Sequence, residues 1–153
     1  MVDTAYTVEK AGFRDFWALY KLHRDIFLHD SYGLIPFLIT YFMPGVRKIK
    51  AVGPEGEAAG LLLGQREHTG EVWIIMIGVD AEHRRRGVGG LLLSALEDAL
   101  PADEYLLTVR VSNDAAHRLY ERMGYEDMRV RRDYYGGGED GQIMIKYKGE
   151  ADE

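Results

Sequence analysis

The chain has 153 residues, 46% of them hydrophobic and 29% charged, with a formal net charge of -6. That suits one compact domain over residues 1–153, excludes disordered and low-complexity classes, and disfavours a duplex nucleic-acid binder, which needs basic surface to neutralise phosphates. With no cysteine, disulfides, thiolate metal sites and a cysteine nucleophile are excluded together.

In chain order, Tyr6-Thr7-Val8 reads as a short strand. Phe13, Phe16, Trp17, Tyr20, Ile26 and Phe27 then recur at three-to-four spacing, which predicts an amphipathic helix from Phe13 to Phe27. Asp30-Ser31-Tyr32-Gly33 breaks it, and Leu34 to Phe42 predicts a second, short helix stopped by Pro44-Gly45. The apolar run from Leu34 to Met43 is interrupted by Pro36 and is far short of the ~20 residues that span a bilayer. The N-terminus lacks a basic start followed by an apolar core, so a cytoplasmic protein without membrane attachment is expected.

Arg47 to Val52 and Ala58 to Glu67 read as strands joined by the loop Gly53 to Glu57. Glu71 to Val79 is almost continuously apolar and β-branched, as expected of a mid-sheet strand buried on both faces. A polar, glycine-rich stretch from Asp80 to Gly90 follows, then a helix carrying Leu91, Leu92, Ala95, Leu96 and Ala99. Tyr105 to Val111 is a further strand. Ser112-Asn113-Asp114 offers capping oxygens to a helix with Ala116, Leu119, Tyr120 and Met123, closed by Gly124. Strands over Glu126 to Tyr135 and Gln142 to Lys148 flank a loop from Gly136 to Gly141. The order β-α-α-β-β-β-α-β-α-β-β is a mixed α/β layout.

Eighteen glycines are roughly 12% of the chain against a usual ~7%, and their placement carries chemistry. Arg84-Arg85-Arg86-Gly87-Val88-Gly89-Gly90 lies between a central strand and a helix start. Small residues there let an anion approach backbone N–H groups, and the helix dipole adds about half a positive charge. A Walker loop requires Lys-Ser or Lys-Thr after its last glycine, and Leu91-Leu92 stand there instead. A dinucleotide fingerprint requires a third spaced glycine near the first strand. No metal-ligand spacing appears among the scattered histidines.

The loop resembles the Arg-x-x-Gly-x-Gly pattern of the GNAT superfamily of N-acetyltransferases, in Arg84, Gly87 and Gly89. Asn113 to Tyr125 is similar to the second signature of that family, Asn-x-x-Ala-x-x-Leu-Tyr-x-x-x-Gly-aromatic. The resemblance covers roughly Val52 to Met144. It implies a mostly antiparallel seven-stranded sheet, splayed at a bulge and flanked by about four helices. It implies acetyl-CoA as cofactor, with its pyrophosphate on Arg84, Arg85, Arg86, Gly87, Val88, Gly89 and Gly90. The pantetheine arm and acetyl carbonyl would lie on the backbone of Ile77, Gly78 and Val79, with Asn113 bonding the arm. Tyr120 takes the position beside the thioester sulfur, where a phenol protonated at neutral pH supplies the proton that a leaving thiolate needs. Without cysteine, transfer to the amine is direct.

Arg132 to Met144, with Tyr134-Tyr135 and an acidic glycine loop, looks like the ending of protein N-terminal acetyltransferases, including the ribosomal-protein alanine N-acetyltransferases. The acceptor is then a protein or peptide N-terminus, with Tyr32, Phe37, Tyr134 and Tyr135 as substrate-binding candidates. The chain departs from that branch where a glutamate or histidine base is usual, since Thr108 stands there, and Trp73 replaces a tyrosine used by some relatives. Glu71 is the candidate base, with Glu67 and His68 beside it. A peptide α-amine is about 10% neutral at pH 7 and a lysine amine about 0.04%, a gap of roughly 3 kcal/mol that suits a weakly based site to α-amines. Two alternatives stay open: a small-molecule amine such as a polyamine, amino sugar or drug-like amine, with Glu139 and Asp140 attracting the cation, and a non-catalytic acetyl-CoA-binding module. No nucleic-acid partner is expected, and the chain is read as a monomer or homodimer.

Overall fold

A computed structural model describes residues 5–28 and 33–148. Strand β1 (Thr7–Lys10) leads through a 3-10 turn (Phe13–Asp15) into helices α1 (Phe16–Ile26) and α2 (Leu34–Phe42). Strands β2 (Val46–Val52), β3 (Ala58–Arg66) and β4 (Val72–Val79) follow, then α3 (Val88–Ala99), β5 (Glu104–Arg110), α4 (Asp114–Arg122), β6 (Glu126–Arg131) and β7 (Gly141–Tyr147). The seven strands form one sheet in the order β1-β2-β3-β4-β5-β7-β6. Its pairings β1/β2, β2/β3, β5/β7 and β6/β7 are antiparallel. β4 and β5 are parallel, with Val72 opposite Tyr105 and Trp73 opposite Leu106. This is the mixed α/β architecture expected from the order of elements.

Two compact units divide the chain, Met1–Gln65 with Ile75–Pro101, and Arg66–Ile74 with Ala102–Glu153. In the first, α1 buries Phe16, Leu19, Leu22 and His23, so the buried stripe is rotated from the one predicted. Phe13 and Trp17 are 81% and 66% exposed, because Phe13 sits in the 3-10 turn and the core-facing stripe runs through Leu19 instead. Phe16 meets the rings of Phe37 and Tyr41 and shares the core of this unit with Leu61, Leu63 and Met76. Pro36 is tolerated in α2 because it is the third helical residue, where the missing N–H has no intrahelical partner in any case.

Helix α3 lies close on β3 because two glycines leave room for it. A Cβ on Gly60 would stand 2.9 Å from the Gly78 carbonyl oxygen and 3.1 Å from Leu92 Cδ1. One on Gly64 would stand 2.8 Å from Leu96 Cδ1. In the second unit, Leu106, Ile143 and Ile145 form a small core with Trp73 against it.

Two element boundaries near the candidate site and one burial pattern differ from the sequence reading. α3 starts at Val88 and not at Leu91, since Gly87 is its N-cap and Leu91 N–H already donates to the Gly87 carbonyl at 3.1 Å. β6 ends at Arg131, opposite Gly141, and Asp133 takes a left-handed conformation at φ 52 that no strand continues through. β4 alternates, burying Val72, Ile74 and Met76 while Trp73, Ile75 and Ile77 are half-buried, so it is not buried on both faces.

Candidate active site

In the first unit, β4 ends in Ile77-Gly78-Val79. A Cβ on Gly78 would meet Ile26 Cγ2 and the Phe27 ring at 3.1 Å, so glycine lets this strand end pass the end of α1. The chain then turns: Asp80 N–H donates to the Ala59 carbonyl (2.9 Å), and His83 N–H donates to the Asp80 carbonyl (2.9 Å). Arg84 Nε donates back to the Val79 carbonyl at 3.1 Å, drawing the start of the arginine loop onto the strand end.

Arg85 at φ 62 and Gly87 at φ 82 both adopt the left-handed conformation. Turns containing such residues form concavities of backbone N–H groups that hold anions. Gly87 offers no side chain to cap α3, so the N–H groups of its first turn, Val88, Gly89 and Gly90, are without a capping side chain. Arg84, Arg85 and Arg86 are exposed around the turn. An uncapped 12-residue helix beside three arginines is chemistry suited to a polyphosphate, so the residues present fit a coenzyme A pyrophosphate.

In the second unit, Asn113 caps α4, its Oδ1 accepting from Ala116 N–H at 3.2 Å. Tyr120, about two helical turns further on, is only 7% exposed and meets Tyr125 edge-on, with ring centroids 6.1 Å apart. Burial, and secondarily the Tyr135 phenol, push the Tyr120 hydroxyl well above the usual tyrosine range. His117, on the same helix, bridges Glu121 (2.8 Å) and Asp127 of β6 (2.7 Å). The hydrogen bond to Asp127 is the main reason its pKa is raised.

Tyr134 and Tyr135 lie in a turn after β6 rather than on a strand, meeting edge-on at 4.9 Å. Tyr135 Oη donates to the Thr108 carbonyl at 3.2 Å, and the Arg110 guanidinium stacks 4.2 Å from its ring centre. Gly141 makes the arrangement possible: a Cβ there would stand 2.8 Å from Thr108 Cγ2 and 3.1 Å from Tyr134 Cβ. The loop between is internally tied. Asp133 N–H donates to Asp140 Oδ1 and Gly138 N–H to Asp133 Oδ1, each at 2.7 Å. Ser112 donates through its hydroxyl to Glu139 Oε1.

Among the predicted site residues, Ile77 to Val79 and Arg84 to Gly90 are thus contiguous in one unit, while Asn113, Tyr120, Tyr134 and Tyr135 belong to the other. Tyr32 lies outside the described residues. Phe37 is not a lining residue: it is wholly buried, in tilted ring contact with Phe16 (5.6 Å), Tyr20 (5.3 Å) and His23 (5.0 Å). Glu71 stands just before β4, half-buried, its carboxylate accepting from Thr69 Oγ1, which holds it below the usual glutamate range. The parallel register puts Val72 level with Tyr105, so Glu71 is four residue steps, or about 13 Å, from the level of Thr108. Sequence spacing gave no signal for the Arg110 stack or the Gly141 contact, because each joins segments far apart along the chain.

The acetyltransferase (GNAT) family model matches residues 15–125. An uncharacterized N-acetyltransferase of Methanocaldococcus jannaschii is 40% identical over 101 residues, 63% of this chain and 64% of that protein. The catalytic subunit NAA20 of the N-terminal acetyltransferase B complex of Arabidopsis thaliana is 35% identical over 103 residues, 63% of this chain and 59% of that one. The chain thus spans about three fifths of the length of these curated relatives. The crystal structure of the ribosomal-protein-S18-alanine N-acetyltransferase from Escherichia coli matches with a TM-score of 0.83 at 27% identity, over 95% of this chain and 97% of that one. The family match takes in most of the chain, with both the arginine loop and the Asn113 helix inside it, and the chain belongs to the GNAT family of acetyltransferases.

Proposed function

We propose that this chain, acting as one domain, transfers the acetyl group of acetyl-CoA directly to the α-amine of a protein or peptide N-terminus. The observation that carries the acceptor is the turn holding Tyr134 and Tyr135, fixed over Thr108 by the Tyr135 hydroxyl and by the space at Gly141. The names of the curated relatives support the same reading, since the NAA20 relative is the catalytic subunit of an N-terminal acetyltransferase complex.

In this reading the turn from Arg84 to Gly90 takes the pyrophosphate, and the backbone from Ile77 to Val79 takes the pantetheine arm. Asn113 contributes through its carboxamide nitrogen, because its oxygen caps α4. The amine nitrogen forms a bond to the thioester carbonyl carbon, the carbon–sulfur bond breaks, and the thiolate takes the Tyr120 proton. The amine gives up its proton to solvent, and Tyr120 is reprotonated from solvent. The raised pKa of Tyr120 supports this role, because a phenol kept protonated is a donor and never the base. With threonine at position 108 and Glu71 four residue steps from its level, this reading assigns no strong base among the described residues beside Thr108, which favours an amine already partly neutral at pH 7.

The two carboxylates on which the polyamine reading relies are tied into the loop by hydrogen bonds. The Glu139 carboxylate accepts from Ser112, and Asp140 accepts from Asp133 N–H. Incubation with acetyl-CoA and paired peptides, free or blocked at the N-terminus, tests the proposal. Acetylation of the free series is expected, and turnover confined to N-blocked lysine peptides or to free polyamines would overturn it.

A further inference from the structure

His83, the residue before Arg84, lies between two groups from distant parts of the sequence. Its Nδ1 is 2.7 Å from the Tyr6 hydroxyl, with the two rings edge-on at 5.5 Å. Its Nε2 faces Glu57 Oε1 at 3.8 Å. A carboxylate only accepts, so the Nε2–H faces Glu57 and Nδ1 accepts from the Tyr6 O–H.

The Glu57 side of this contact is built rather than incidental. Glu57 Oε2 accepts from Glu55 N–H at 3.1 Å, which bends the carboxylate back over the β2–β3 loop. A Cβ on Gly53 would lie 1.6 Å from Glu57 Oε1, so only glycine at 53 permits that path. Glu57 Oε1 is buried without a hydrogen bond, and the imidazole Nε2 is the donor facing it. Tyr6 is buried as well, 5% exposed. A buried phenol, a half-buried imidazole and a buried carboxylate oxygen thus converge on the residue from which the left-handed turn begins.

We infer that Tyr6, His83 and Glu57 form a clamp that positions the arginine loop for its anionic ligand. His83 is a positioning residue and touches no substrate. A loop that binds through backbone N–H groups must hold its dihedral angles before the anion arrives, or else part of the binding free energy is lost in ordering it. The clamp ties the first residues of the loop to two segments that are themselves anchored, the approach to β1 and the β2–β3 loop. The inference rests on the reading of the loop as the coenzyme A pyrophosphate site.

The test is coenzyme A binding by titration calorimetry, together with steady-state kinetics, on the full chain and on Tyr6→Phe, His83→Phe and Gly53→Ala. Tyr6→Phe removes one buried hydrogen bond and is expected to raise the coenzyme A Kd about fivefold to tenfold, with kcat and the acceptor KM unchanged. Gly53→Ala, which displaces the Glu57 carboxylate without altering any charge, is expected to shift Kd in the same direction. In the His83→Phe background, Tyr6→Phe should have no further effect, since its partner is gone. Unchanged Kd in all three variants, or a lowered melting temperature with Kd intact, would overturn the clamp. Failure of the parent chain to bind coenzyme A would overturn the loop reading itself and the clamp with it.

Discussion

The role we propose for Tyr120 depends on its surroundings. Nothing in its own chemistry separates it from the other tyrosines. Its place on α4, buried behind Tyr125 and beside Tyr135, keeps its proton on at neutral and moderately alkaline pH. Tyr120→Phe keeps the ring packing and removes the donor, so kcat is expected to fall by about 100-fold while coenzyme A binding is retained. Rapid-quench measurement of acetyl transfer beside a binding titration checks both halves. The role we propose for it comes from the Asn113 to Tyr125 spacing. The fate of Phe37 was not legible in the sequence, because a lone aromatic beside a proline reads alike whether it lines a pocket or fills a core. Only the neighbouring Phe16, Tyr20 and His23 decide it.

At the scale of elements, the sequence yields their order and most of their boundaries, because hydrophobic period and turn residues are local signals. It fails at Val88 and at Arg132, where the deciding feature is a backbone conformation that no periodicity reports. It also fails to show why α3 sits where it does. Gly60 and Gly64 both face that helix, yet they meet different atoms. At Gly60 the obstacle to a methyl group includes the Gly78 carbonyl, which is sheet backbone, whereas at Gly64 it is the end of the Leu96 side chain. Gly60→Ala is therefore expected to destabilise the protein by about 1–3 kcal/mol, and Gly64→Ala by less. Urea denaturation of the two variants against the parent compares them, and equal losses would contradict this account of the α3 contact.

For the molecule as a whole, acidity acts through His23. This histidine is 1% exposed, set between the rings of Phe27 (5.1 Å) and Phe37 (5.0 Å). Burial lowers its pKa to about 4. The unfolded chain therefore binds a proton there at pH values where the folded chain does not. Stability is fully present above about pH 6.5 and declines as the pH falls toward 4, by up to about 3 kcal/mol. His23→Phe should flatten that decline, as denaturation midpoints at pH 7 and pH 4.5 would show. Asp15 adds a smaller effect of the same sign, its carboxyl held low by the Gly12 N–H and by Lys50.

The loop from Gly136 to Gly138 bears on chirality. All three glycines have positive φ, 79, 61 and 84, and a Cβ on any of them would meet nothing within 4 Å. The constraint on this stretch is stereochemical and not spatial. An L-residue has room there but the wrong hand for the backbone, whereas a D-residue has both the room and the hand. Glycine, being achiral, is the one encoded residue that follows this path without strain, and it does so three times in succession beside the tyrosine pair.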